Sequence, residues 1–331
     1  MNLIMTSQQK VFLTRNIVPD AISKLQEYFD VEVWDRSVPP SKDVLIEKLQ
    51  GFDGVMTEVS DIMDDDILSS CSSLKIVANR AIGYDNIDLD SASRNRIFVS
   101  NTPGILHESC ADFTMALMLS LARQVTRSNR KVIAGEWKFF DQTPYLGTDV
   151  FGKTLGLLGM GEIATAVVKR AAGFDMEILY YSRSRKPEIE ETYNIQWVSF
   201  DELLSRSDYI SIHVPLTQET ENLIGLNEFK QMKEDAFLIN TSRGGTVNPD
   251  ALREALYENY IAGAALDVTL PEPISLDDPL VSMENVIITP HISSASTATL
   301  RRMGLLAADN IIAGLRGEKM PSCLNDERIT S

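Results

Sequence analysis

Three residues able to do chemistry close apolar runs in the second half of the chain. Arg243 ends Ile239-Asn240-Thr241-Ser242 and is followed by Gly244-Gly245. Glu272 stands between Pro271 and Pro273, just beyond Ala265-Leu266-Asp267-Val268-Thr269. His291 follows Thr289-Pro290 and is one of 3 histidines. A guanidinium clamps a carboxylate through a planar fork. A glutamate between two prolines is held rigidly, and a histidine can change charge near neutral pH. Taken singly, each also has a plain structural reading: a solvated loop arginine, a carboxylate in water, a packing histidine. His107 and His213 are assigned to structure, although His213-Val214-Pro215 lies at a strand end where an adenosine would fit.

A second chemistry is written between Lys153 and Arg185. Thr154 to Leu158 suits a buried strand, and Gly159-Met160-Gly161 makes a tight turn. From Ile163 to Ala172 apolar and small residues recur with helical spacing, and Glu177 to Tyr181 is a second strand. Strand, glycine turn, helix and strand form the unit that binds dinucleotides. Gly159 permits the sharp turn, and Gly161 lets backbone approach a pyrophosphate. The helix directs unpaired N–H groups and its positive dipole end at the phosphates. Residues 159–163, with Met160, Glu162 and Ile163 among them, are therefore cofactor-contact candidates. Ala164 replaces a third glycine and is small enough for close packing. A glycine turn in any α/β protein gives the same short pattern; the flanking elements favour the nucleotide. NAD-specific sheets carry an acid at the end of the second strand, where it bonds the ribose hydroxyls. Here the segment is Ser182-Arg183-Ser184-Arg185-Lys186. Serine can donate to a 2′-phosphate and arginine can pair with it. NADP is therefore expected in preference to NAD, against the alternative of a solvated loop indifferent to the cofactor.

Alternating strands and helices must position these stations. In the first hundred residues, strands are expected at Lys10 to Thr14, Val31 to Trp34, Gly54 to Thr57 and Lys75 to Ala78. Helices are expected from Ala21, from a Ser41 cap through Leu49, and from Asp64. This reads as a small parallel-sheet domain without a nucleotide turn. Asn101 to Gly104 reads as a hinge, followed by one long helix over residues 108–134. The loop 135–150 carries Trp137, Phe139, Phe140 and Tyr145, read as packing or a subunit contact. Strands are expected at 195–198, 209–213, 236–240, 261–266 and 285–289. Helices are expected at 200–205, 249–257 and 296–315, with a loose polar tail after Gly317. Residues 1–102 and 292–331 are expected to form one lobe and 103–291 the other. Periodicity alone does not return the last helix to the first lobe.

The formal charge of −16 over 331 residues disfavours nucleic acid and anionic membranes as partners, so any anion site must be built locally. Cys71, Cys110 and Cys323 are odd in number and far apart, which suggests reduced thiols in a cytoplasmic protein. No spacing suggests a metal. The opening MNLIMTSQQK lacks the apolar core of a signal peptide, and no run reaches the length of a membrane span.

Arginine, glutamate and histidine in that order, each after a strand and downstream of a dinucleotide turn, resemble the D-isomer-specific 2-hydroxyacid dehydrogenase family. The matching motifs are GMGEIA, HVPLTQETENLI, LINTSRGGTV, AALDVTLPEP and ITPHISSAS, with NRAIGYDNIDLD and NTPGILHESCAD earlier. GEWK, LGTDVFGKTLG and YYSRSRK are similar to the glyoxylate/hydroxypyruvate reductase branch. The resemblance covers about 300 residues. It implies two doubly wound α/β lobes, a Rossmann dinucleotide-binding domain inserted into a flavodoxin-like substrate domain. It implies reduction of a small 2-oxoacid, glyoxylate or hydroxypyruvate, with NADPH or NADH. Arg243 would bind the substrate carboxylate and polarise the keto group. His291 would be the general acid, and Glu272 would hydrogen-bond His291 and raise its pKa. Ile82 and Gly83 match the segment whose backbone N–H groups hold the substrate carboxylate. Thr241 and Asp267 match positions near the nicotinamide amide, with Ser242 beside them. Trp137 and Phe140 match a dimer arm, implying a homodimer. Arg80 stands where a neutral residue is usual, Glu162 where an arginine is usual, and Ser293 where a glycine is expected. The competing readings are a reductase of bulkier sugar-derived 2-keto acids and a non-catalytic, dinucleotide-sensing corepressor.

Overall fold

A computed structural model of the chain describes residues 8–16 and 18–330. Residues 1–7 of the opening stretch read for a leader lie outside the described residues. The chain divides into two compact units, Met1–Ile105 with Ser296–Ser331, and Leu106–Ala295. The seams expected from sequence were 102/103 and 291/292.

In the first unit β1 (Lys10–Leu13), α1 (Pro19–Gln26), β2 (Asp30–Val33), α2 (Lys42–Leu49), β3 (Gly54–Thr57), α3 (Asp65–Ser70), β4 (Ile76–Asn79), α4 (Leu89–Arg94) and β5 (Phe98–Ser100) alternate. Ser41, Asp64 and Asp88 start three of these helices by accepting a backbone N–H three residues on. The strands are parallel in the order β2-β1-β3-β4-β5, a doubly wound arrangement of flavodoxin type. Such strands are buried on both faces and read as continuous apolar runs. Phe12 packs with Leu45, Leu49 and Ile67 on one face, while Val11 and Leu13 pack with Ala21, Leu25 and Ile311 on the other.

The second unit opens with α5 (His107–Ala122) and α6 (Val125–Ile133), then β6 (Thr154–Leu158), α7 (Glu162–Ala171), β7 (Glu177–Tyr181), α8 (Pro187–Tyr193), β8 (Gln196–Trp197) and α9 (Phe200–Arg206). It continues with β9 (Tyr209–Ile212), α10 (Leu226–Phe229), β10 (Phe237–Asn240), α11 (Pro249–Tyr257), β11 (Gly263–Leu266), α12 (Pro279–Ser282) and β12 (Val286–Ile288). All seven strands are parallel, ordered β12-β11-β10-β9-β6-β7-β8. The chain winds outward from β6 to β8, returns to β9, and winds outward again to β12. The order therefore reverses between β6 and β9, and ligands bind such sheets in the crevice at that reversal. Ala111, Met115, Ala164 and Val167 cover one face of the sheet; Leu203, Phe229, Leu252 and Ala255 cover the other.

The expected single helix over 108–134 is two helices. Arg123 ends α5, and Gln124 takes a left-handed φ of 52°. The cause is a distant segment: Thr148 N donates to Ala122 O at 2.9 Å, and a Cβ on Gly147 would fall 2.3 Å from that same oxygen. No proline or glycine marks the break locally.

The tail is not loose. In the first unit α13 (Thr297–Arg316) stops at Gly317, whose φ is 70°, and α14 (Asp326–Thr330) follows. Between them the tail pairs with the edge strand β5. Leu324 N donates to Val99 O at 2.8 Å, and Asn325 Oδ1 accepts Val99 N at 2.9 Å. Asn325 Nδ2 donates to Ile97 O at 2.9 Å, and the residue is only 2% exposed. Pairing the edge removes a row of open backbone groups. Asn325→Ala would leave the Val99 N–H and the Ile97 carbonyl short of a partner, and should lower stability by about 1–3 kcal/mol. Its check is the midpoint of denaturant unfolding. An unmoved midpoint would mean that the tail does not dock.

Candidate active site

Because the seven strands of the second unit are parallel, their carboxyl ends share one edge. Gly159-Met160-Gly161 follows β6, Ser182 to Ser184 follow β7, and His213 to Pro215 follow β9. Thr241 to Arg243 follow β10, Asp267 follows β11, and His291 follows β12 within three residues.

The loop carrying Arg243 is anchored by Asn240, a buried side chain that the sequence reading did not single out. Asn240 Oδ1 accepts Ser242 N and Ser242 Oγ, both at 3.0 Å, while Nδ2 donates to Arg243 O at 3.0 Å. Thr246 Oγ1 also donates to Arg243 O, at 2.7 Å. The loop then presses onto the extension of β11, for a Cβ on Gly244 would fall 2.1 Å from Thr269 O. Only glycine permits that approach. It brings the arginine loop beside the segment that bears Glu272.

Glu272 lies between two cis prolyl bonds, Leu270–Pro271 and Glu272–Pro273. Its Oε2 accepts Thr269 N at 3.3 Å, and its Oε1 lies 2.6 Å from His291 Nδ1. Burial pushes the Glu272 carboxyl up, but the hydrogen bond and charge of His291, with the Arg243 charge behind them, hold it below the ordinary value. A carboxyl depressed on folding stabilises the fold above its unfolded value, so this contribution fades as the pH falls through the lowered one.

His291 adopts a φ of 54°, a left-handed conformation that residues other than glycine seldom take. Asp267 holds it there. The Asp267 carboxylate, on a residue 1% exposed, accepts Thr289 Oγ1 at 2.7 Å, Ile292 N at 2.9 Å and Ser293 N at 2.7 Å. The Asp267 carbonyl accepts His291 N at 2.9 Å. Ser293 is buried, with Cys110 Sγ 3.7 Å from its Oγ. Burial pushes the Cys110 thiol up to about 11, so it is neutral and serves packing.

The cofactor stations fit a dinucleotide. Gly159 has a φ of 94°, and a Cβ there would strike His213 O at 2.8 Å. A Cβ on Gly161 would meet nothing within 4 Å, which leaves room for a phosphate at the start of α7. Met160 turns its side chain into the core, whereas Glu162, the first residue of α7, is exposed. Ala164 is fully buried. Val214 lies against Gly159, and Pro215 O accepts Thr220 Oγ1 at 2.6 Å. Desolvation pushes the His213 imidazole down to about 4, and its Nε2 pairs with Ser211 Oγ at 2.9 Å. In the loop after β7, Arg185 forks onto Glu190 and Ser182 Oγ donates to Ser184 O at 2.6 Å, while Arg183 is exposed. Thr241 Oγ1 lies 3.1 Å from Thr114 Oγ1 on α5. Among the described residues no cluster of His, Cys, Asp or Glu could hold a metal ion, and no helix is long and apolar enough to cross a membrane.

Ile82 and Gly83 belong to the first unit, just beyond β4. Asn101 Nδ2 holds Ile82 O at 2.9 Å, and Asn79 Nδ2 holds Gly83 O at 2.8 Å. Arg80 forks onto Glu58 at 2.7 Å through both Nε and Nη2, so its charge is met within that unit.

Asp267→Asn keeps one acceptor and loses the oxygen that takes Ser293 N. The expected cost is about 1–3 kcal/mol, with faster amide hydrogen exchange at Ile292 and Ser293. Unchanged exchange at both amides would show that the carboxylate does not hold the turn.

Residues 115–293 match the family model described as D-isomer specific 2-hydroxyacid dehydrogenase, NAD binding domain. A glyoxylate reductase from Korarchaeum cryptofilum is 45% identical over 319 residues, covering 96% of each chain. The crystal structure of the TT0316 protein from Thermus thermophilus superposes with a TM-score of 0.90 at 38% identity, covering 96% of this chain and 100% of that one. An NADPH-dependent glyoxylate/hydroxypyruvate reductase from Sinorhizobium meliloti, solved with NADP and malonate, gives 0.84 at 28% identity, covering 96% of this chain and 97% of that one.

Proposed function

The chain belongs to the D-isomer-specific 2-hydroxyacid dehydrogenase family, and from that premise we propose that it reduces small 2-oxoacids, glyoxylate and hydroxypyruvate first among them. The product is the 2-hydroxyacid, in the D form where it is chiral. That the enzyme is an NAD(P)-dependent oxidoreductase follows from the family itself. The observation that carries the finer reading is the 2.6 Å contact of Glu272 with His291, on a segment packed against the loop of Arg243.

Bound nicotinamide dinucleotide supplies the hydride. Arg243 clamps the substrate carboxylate and draws electron density from the keto oxygen. His291 keeps Nδ1 on Glu272, which leaves Nε2 to give its proton to the carbonyl oxygen as negative charge develops there. Glu272 orients the ring through that bond. Ile82 and Gly83 offer backbone N–H groups to the carboxylate. Residues 159–163 receive the pyrophosphate, His213 to Pro215 the adenosine, and Thr241, Ser242 and Asp267 the nicotinamide side. Ser242 Oγ and the Asp267 carboxylate already have protein partners, so each offers the cofactor only its remaining capacity.

NADP is the preferred cofactor. Arg185 is committed to Glu190, so Arg183, with Ser182 and Ser184, is the residue assigned to the 2′-phosphate. A homodimer is supported by the loop aromatics, with Trp137 58% and Phe140 82% exposed. The three free thiols fit a reducing, cytoplasmic setting.

A panel of 2-oxoacids assayed with NADH and NADPH tests the reading, and glyoxylate or hydroxypyruvate should turn over fastest. His291→Ala should lower kcat by roughly 10²–10⁴-fold while cofactor binding stays near that of the unaltered enzyme. An active His291→Ala variant would remove the histidine from the chemistry. For the cofactor, Arg183→Ala should raise KM for NADPH several-fold and leave KM for NADH nearly unchanged. If both constants stay where they were, this loop does not read the phosphate.

A further inference from the structure

The glycine turn holds a conflict. The start of α7 favours an anion, yet its first residue is Glu162. Among the described residues one basic side chain stands within ion-pair distance of that carboxylate. It is His107, the first residue of α5, whose Nδ1 lies 4.0 Å from Glu162 Oε2. The same Nδ1 is buried and makes no hydrogen bond. On the other side of the ring Nε2 lies 3.7 Å from Glu108 Oε1. Glu108 is already met by Arg170 Nη1 at 2.7 Å and Lys169 Nζ at 3.7 Å, both from α7, and Arg170 Nε also holds Asp112 at 2.6 Å. Two acids flank the imidazole, Glu108 and Glu162, and the ion pairs that run on from Glu108 add one more acid, Asp112, and two bases, Lys169 and Arg170. One negative charge is left over beside the turn that must take a pyrophosphate. A protonated His107 cancels it.

We infer that His107 is a proton-operated counter-charge in the dinucleotide site, a residue that sets cofactor affinity by neutralising Glu162. This rests on the dinucleotide reading above. Protonated, the imidazole pairs with Glu162 and lifts its repulsion from the pyrophosphate. Neutral, it leaves the carboxylate facing the incoming anion. Binding therefore takes up a proton. Affinity is therefore higher with the imidazole charged than with it neutral.

The test is calorimetric titration with ADP-ribose, which carries the pyrophosphate but no nicotinamide. Between about pH 6 and 8.5 an imidazole loses its charge, whereas the pyrophosphate keeps its own. His213, held down to about 4, is silent in that window. The unaltered protein should bind ADP-ribose roughly two- to fivefold more tightly at the acid end, with net proton uptake seen as a dependence of the heat on buffer ionisation. His107→Gln should abolish both the slope and the uptake. Glu162→Gln, at an exposed position where folding is not at issue, should also be flat and should bind more tightly than the unaltered protein at the alkaline end. A flat profile in the unaltered protein, or a slope that survives in either variant, would overturn the inference. Failure to bind ADP-ribose at any pH is a different outcome: it removes the dinucleotide reading and this inference with it.

Discussion

The carboxylate of Asp267 is the interaction on which the site depends. One buried side chain accepts the Thr289 hydroxyl and two successive amides, Ile292 and Ser293, while its backbone carbonyl accepts the amide of His291. Those bonds offset the cost of a left-handed histidine, on the order of 1 kcal/mol. They also aim its ring at Glu272. Asp267 can do this because β11 and β12 are neighbours in a parallel sheet, with Leu266 in register with Ile288. The chain therefore emerges from both strands at the same height. The next strand inward, β10, delivers Arg243 in the same way, with Asn240 in register with Leu266. Chemistry drawn from residues far apart in sequence is collected by one edge of one sheet.

The electrostatics follow the same local logic. A chain with a formal charge of −16 repels anions at long range, but at physiological ionic strength that field is screened within about 8 Å. On the reading proposed above, an anionic substrate or cofactor would meet only nearby groups: the Arg243 guanidinium, the start of α7 and Arg183 in the loop after β7. Arg80 is spent on Glu58 and Arg185 on Glu190, which leaves fewer positions for binding than the basic residues alone would suggest.

Much of the fold was legible because parallel strands buried on both faces write themselves as short apolar runs. Gly54–Thr57, Thr154–Leu158, Glu177–Tyr181 and the helix Pro249–Tyr257 appear with the bounds read from sequence. The failures share a cause. The break at Gln124 is imposed by Gly147 and Thr148, and the docking of the tail by an edge strand more than two hundred residues earlier, so neither leaves a local mark. The helices Leu89–Arg94, Pro187–Tyr193 and Leu226–Phe229 are too short for periodicity to register. At the site, Arg243, Glu272 and His291 could be picked out by type and position, and the structure joins Glu272 to His291 directly. The supporting groups were harder. Asn240 is a polar residue closing an apolar strand, which was a usable signal. The clamp of Asp267 on 289–293 was invisible, because it depends on which strands are neighbours.

The central claim is a hydride transfer to a 2-oxoacid at this sheet edge, and isotope transfer tests it most directly. The protein is incubated with glyoxylate and NADPH deuterated at C4 on the transferred face, and the product is analysed by mass spectrometry. The account predicts glycolate with one deuterium at C2, formed at a rate typical of an enzyme, on the order of 10 s⁻¹. Glycolate without deuterium, or turnover slower than about one per minute under saturating conditions, would contradict it.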